Sequence, residues 1–260
     1  MLREQDGDVI AIGQPSHAWI SGQLARAWGS ARFGGPEPFE EVCLAAEQHD
    51  VGMSTWDLSP ARNPSTGLPQ SFMEMAIETH LKLWSAAPQR LLAQSGYAAL
   101  LVSMHGCRLY EMRDLDKLAQ PEAEAVRAYL GGQRTFQLEV LASLRRDRTM
   151  SRFATPELVA RNSQLISTWD LLSLAICLDW SPRTVRAVPS AVGPVDLELS
   201  RGAGPRRLAL EPWPFTRPNV LVRCQGRRLT GRSESDDAML EALASARWET
   251  VEFELSAREP

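Results

Sequence analysis

The chain has 260 residues, 44% apolar and 23% charged, with a formal net charge of -4. That is the composition of a globular fold with one sizeable core. The acidic balance argues against a nucleic-acid partner held mainly by charge. No apolar run approaches the ~18 residues of a membrane span, and MLREQDGDVIAIG has no basic-then-apolar leader pattern.

The first element predicted is a hairpin, Leu2 to Gln5 and Val9 to Ile12 about a turn at Gly7. A first helix runs from a cap at Ser16 to a stop at Gly29, with His17, Ile20, Ser21, Leu24, Ala27 and Trp28 on one face. A second begins after Pro38 and stops at Gly52. Its stripe of Phe39, Val42, Cys43 and Ala46 continues onto His49 and Asp50. The Pro- and Gly-rich stretch from Gly52 to Pro69 reads as a stiff wall or lid over the His-Asp pair, or equally as a connector with Trp56 in the core.

A third helix starts near Ser71 with Met73, Ile77, His80 and Trp84 aligned. A fourth runs from about Gly96 with Ala98, Leu101, Val102, His105, Leu109 and Met112 aligned, and Gly106 permits close approach beside His105. A long helix near 155–178 opens on Thr155, Pro156 and Glu157, and Val159, Ser163, Ile166, Asp170, Ser173, Leu174 and Cys177 trace its stripe. After Pro182 the period changes to two, in VDLELS, RRLALEPW, NVLVRCQGRRLTG and WETVEFELS, with a short helix over Asp236 to Ala246. The expectation is a mainly α body over residues 1–185 and a β-rich segment over 186–260 packed on it, with the early hairpin a candidate to join its sheet. Cys43, Cys107, Cys177 and Cys224 form no C-x-x-C pair, which predicts buried thiols in a reducing, cytoplasmic setting.

The chemistry lies in the polar residues on these inward stripes. Every histidine of the chain, His17, His49, His80 and His105, falls on one, and the mid-stripe carboxylates are Asp50 and Asp170. Singly, each histidine is an ordinary core residue. Buried imidazoles and carboxylates are costly without partners, however, and Asp170 has no basic neighbour in sequence. Several of them converging from separate helices predict a metal site.

The order His, His-Asp, His, His, Asp resembles the HD-domain superfamily of metal-dependent enzymes, which are helical bundles. That resemblance implies a first metal on His17, His49, Asp50 and Asp170. His80 and His105 match the additional histidines of two-metal members, with Asp50 as the bridging, catalytic carboxylate. The segments QPSHAWISGQLARAWG, AAEQHDVGMSTWD, TGLPQSF, LLVSMHG and STWDLLSL are similar to an uncharacterised bacterial family, domain of unknown function 3891, which carries no established activity. The GYP motif of cyclic-dinucleotide phosphodiesterases is absent from the sequence.

The HD resemblance implies two divalent transition-metal ions (Mn, Fe, Co or Zn) and hydrolysis of a phosphorylated small molecule or nucleotide. The same ligands would serve a di-iron oxygenase of the HD type, and a metal-stabilised binding protein is a third reading. Weaker candidates are Asp57, as acceptor for a ligand histidine, Trp56 in the wall, and Arg62, Lys82 and Arg108 as phosphate holders. Expected partners are a small molecule and at most further copies of the chain, with no nucleic acid and no membrane. A serine hydrolase, a P-loop NTPase and a nicotinamide enzyme are disfavoured because their glycine motifs are missing.

Overall fold

The computed structural model describes residues 1–204 and 206–258. The chain begins with strands β1 (Leu2–Gln5) and β2 (Asp8–Ile12). Six helices follow: α1 (Gln14–Ala27), α2 (Phe39–Gln48), α3 (Ile77–Leu91), α4 (Gly96–Glu111), α5 (Gln120–Arg146) and α6 (Pro156–Leu178). The remainder is β3 (Arg183–Val188), β4 (Val195–Arg201), β5 (Arg207–Glu211), β6 (Asn219–Leu229), α7 (Asp236–Ser245) and β7 (Arg247–Ala257). No helix among the described residues is long and apolar enough to cross a membrane.

All seven strands form one sheet in the order β1-β2-β6-β7-β5-β4-β3. Pairing is antiparallel except between β5 and β7. Seven strands spaced by ~4.8 Å would span ~29 Å if flat, yet α6 touches both edge strands, β1 and β3. A helix with its side chains is only ~10–12 Å across, so the sheet must curl around α6. Helix α1 lies against β6 on the same inner face. One core results. Ile10 and Ile12 of β2, Val222 of β6 and Phe253 of β7 join Ile20 and Leu24 of α1 and Leu172 and Ile176 of α6.

The expected mainly α, HD-like bundle with an appended β segment is therefore corrected. The fold is α+β: helices take up about half the chain, and a seven-stranded mixed sheet forms one wall of its core. The early hairpin joins that sheet, through Val9–Ile12 against Gly226–Leu229. Strand β3 escaped the sequence reading for a physical reason. Its pairing shifts register between Val185 and Val188, with Ala187 at φ 55°, so buried and exposed positions do not alternate. In β6 they alternate cleanly, and that strand was legible.

The β2–β6 junction depends on Gly226. A Cβ there would collide with Cγ2 of Ile10, a fully buried and β-branched side chain with little freedom to move. Gly226→Ala is expected to destabilise the fold by about 1–3 kcal/mol in urea unfolding, as overpacked cores do; unchanged stability would contradict this packing.

Candidate metal centre

Four helices aim polar side chains at one point. His17 lies one turn into α1, whose start is fixed by Asp57: Oδ2 accepts from Gln14 N at 2.5 Å. His49 caps the end of α2. At Asp50 the backbone leaves the helical region (φ -104°, ψ 19°) before a 3-10 turn at Val51–Thr55. His105 sits within α4 and Asp170 within α6, the latter capped by Thr155 as its sequence predicted. Three imidazoles and two carboxylates are thereby buried, none more than 9% exposed.

Hydrogen bonds at the outer edge fix which nitrogens face inward. Ser173 donates its hydroxyl proton to the Asp170 carbonyl at 2.8 Å. His17 Nδ1, 2.9 Å from Ser173 Oγ, must then be the donor in that pair. In the neutral ring this leaves a lone pair on His17 Nε2, which lies 2.7 Å from Asp50 Oδ2. His49 repeats the pattern: Nδ1 donates to the Ala46 carbonyl at 2.8 Å. Its Nε2 lies 3.2 Å from Asp170 Oδ1 and 3.8 Å from Asp50 Oδ2, yet it makes no hydrogen bond of acceptable geometry. His105 Nε2 is 3.6 Å from Asp170 Oδ2.

Lone pairs aimed at carboxylate oxygens repel unless a cation stands between them, either a proton or a metal. Without metal, a proton does this at His49. Burial alone would lower the His49 pKa, but the Asp50 and Asp170 charges outweigh it and raise it to about 9. Burial likewise works against ionising Asp50 and Asp170, and the histidines reverse it, holding both below the ordinary carboxylate range. Burial lowers His105 to about 4, keeping it neutral as a ligand must be. The donor set suits a transition-metal ion. His17, His49 and Asp50, and again His49, His105 and Asp170, each bring ligand atoms within 4.8 Å of one another. These buried groups could hold a metal ion.

The remaining predicted residues are placed differently. His80 is outside both triads. It lines a cavity of about 320 Å³ that opens onto His17, Asp50, His105 and Asp170, and its Nδ1 makes a short hydrogen bond with the Tyr110 hydroxyl. Burial lowers its pKa to about 4, so the ring is neutral. Asp57 touches no histidine; it caps α1. Trp56 and Asp57 line a separate cavity beside the hairpin. The 52–69 stretch leans on the far end of the chain, Ser233 N donating to Gly67 O at 3.0 Å. The wall over the site comes instead from Phe72, Met73, Met75 and Ile77. Arg62 pairs with Asp236 at 3.3 Å, away from the cluster, and Lys82 is exposed on α3. Arg108 lines a groove that reaches His105 and Asp170.

Gly106 behaves as expected. A Cβ would strike Trp84 and the Tyr129 hydroxyl, and its absence lets Trp84 stack on His105 at 5.5 Å and 29°. Two site residues escaped the sequence reading. Ser173 orients His17, and Gln14 lines the cavity with a buried Nε2 that has no partner. Each lies three residues from a ligand, Asp170 or His17, on the same helix face. That spacing was the available signal.

Residues 1–231 match the family described as Protein of unknown function (DUF3891). The chain belongs to that family. The DUF3891 match takes in the whole His/Asp cluster and six of the seven strands. Neither the curated proteins nor the solved structures contain a match. The HD resemblance of this DUF3891 chain consequently rests on residue order alone.

Ser173→Ala would leave His17 Nδ1–H buried without an acceptor. It is expected to weaken divalent-metal binding about 10–100-fold in competition with a chelating dye, while Ser163→Ala on the same helix leaves it unchanged; equal affinities would contradict the assignment. Asp57 supplies a pH test. Burial, opposed by the terminal ammonium and the Gln14 N–H, raises its pKa from 3.8 to about 6. A raised carboxyl stabilises the fold below its unfolded pKa and loses that contribution as pH rises through the folded one. Wild-type stability relative to Asp57→Asn is therefore expected to fall between pH 3.8 and about 6 in chelator-treated protein, and parallel pH profiles would contradict this.

Proposed function

We propose that this chain is a metal-dependent hydrolase acting on a phosphorylated small molecule. The observation that carries the reading is the inward-facing His/Asp cluster with a cavity against it. A structural metal site is usually closed by its ligands, whereas a catalytic one keeps a face open. In this reading His17, His49, Asp50 and Asp170 hold a first divalent ion. His49 Nε2 can serve only one ion, so His80, His105 and Asp50, which line the same cavity, would hold a second. His80 suits that role if its Nδ1–H donates to the Tyr110 oxygen, leaving Nε2 as the ligand atom. Bound divalent ions would polarise a phosphoryl oxygen and lower the pKa of a water. The protein's own part is to orient the imidazoles through Ser173 and Ala46 and to offer Gln14 Nε2 as a donor to substrate. The wall at 72–77 limits the entry of bulk water.

A di-iron oxygenase is the second reading, favoured by the apolar lining of the cavity, with Met53, Phe72, Met75 and Ile77. Reconstituting metal-free protein with Mn or Co and assaying p-nitrophenyl phosphate without oxygen separates the two. The hydrolase reading predicts turnover that is lost on chelation and in Asp50→Ala. Iron in the purified protein, with oxygen consumption and no phosphatase activity, would overturn it.

A further inference from the structure

A second opening reaches the cluster from the other side. A groove of about 700 Å³ runs between α4, α6 and β3. It shares His105, Leu109, Asp170 and Leu174 with the inner cavity, so the two spaces flank the His/Asp centre. The size falls within the roughly 300–1,000 Å³ of small-molecule sites.

Arg108, Arg183 and Arg186 line this groove, and Asp170 is the one carboxylate among its lining residues. Some arginines elsewhere, Arg26, Arg134, Arg201 and Arg228 among them, sit against a carboxylate, whereas Arg183 lies over the Trp180 ring at 5.9 Å. No ion pair forms at Arg108, Arg183 or Arg186 among the described residues. In a chain of net charge -4, three uncompensated guanidiniums in one groove form a local field of opposite sign. A guanidinium fork matches the oxygens of a phosphate in a bidentate manner. Arg183 and Arg186 also stand on an edge strand, where charge discourages strand addition. That role would not require Arg108 of α4 to share the same groove.

We propose that this arginine groove binds a second, non-reacting phosphate or diphosphate of the substrate, while the reacting group lies at the His/Asp centre. The inference deepens the hydrolase reading and rests on it for the word substrate. It names a substrate class: a molecule with two separated phosphoryl groups, or a diphosphate tail, long enough to pass from the inner cavity over Asp170 into the groove.

The groove is testable without metal. Inorganic pyrophosphate is titrated calorimetrically into full-length protein freed of metal and chelator. Wild type is expected to bind it, and the Arg183→Ala/Arg186→Ala double variant to bind at least about tenfold more weakly, as loss of charged hydrogen bonds implies. The Arg183→Lys/Arg186→Lys variant should recover part of the loss. Equal affinity in wild type and the alanine variant, or no binding by wild type at millimolar pyrophosphate, overturns the proposal. Circular dichroism and metal content should match wild type in both variants. Wild type that binds pyrophosphate but takes up no metal would refute the hydrolase reading and leave the groove intact.

Discussion

His17 and His49 each give their outer nitrogen to an oxygen of the fold, Ser173 Oγ and the Ala46 carbonyl. In the neutral rings their inner nitrogens would therefore meet the buried carboxylates of Asp50 and Asp170 as lone pairs. A low-dielectric interior does not tolerate that arrangement unless something positive joins the two sides. Much of the architecture follows from this constraint. Helices α1, α2, α4 and α6 must end or pass within a few ångströms of each other, and α2 must stop so that His49 and Asp50 point the same way. The curled sheet holds α1 and α6 at the distance this requires, by packing β6 against one and both edge strands against the other.

The openings on either side of the centre give it access to solvent and ligand. Toward α3 the walls are apolar and lined by methionines, with a neutral His80–Tyr110 pair. Toward β3 they are cationic. The His/Asp centre therefore lies between an apolar cavity and a groove lined by three arginines.

The sequence carried the helical half of this account well. Helix α6, with its Thr155 cap, and the gathering of His17, His49, Asp50, His105 and Asp170 follow from helical spacing, because inward polar residues on long amphipathic helices stand out against apolar neighbours. The architecture was less legible. Counting helices over residues 16–180 suggested a bundle, but which strands pair is decided by contacts distant in sequence, such as Ile10 with Arg228. Strand β3 was hidden by its bulge. Arg62 looked close to the site along the chain, yet the turn at Asn63–Gly67 carries it to Asp236 instead. Arg183 and Arg186 were invisible as groove residues because only the folding of β3 against α6 brings them there.

The most direct test is a crystal structure collected at the absorption edge of manganese or zinc after soaking. The account predicts an anomalous peak within coordination distance of His17 Nε2, His49 Nε2 and carboxylate oxygens of Asp50 and Asp170. Density with no anomalous scatterer there, and with protonated imidazoles bonded directly to both aspartates, would contradict it.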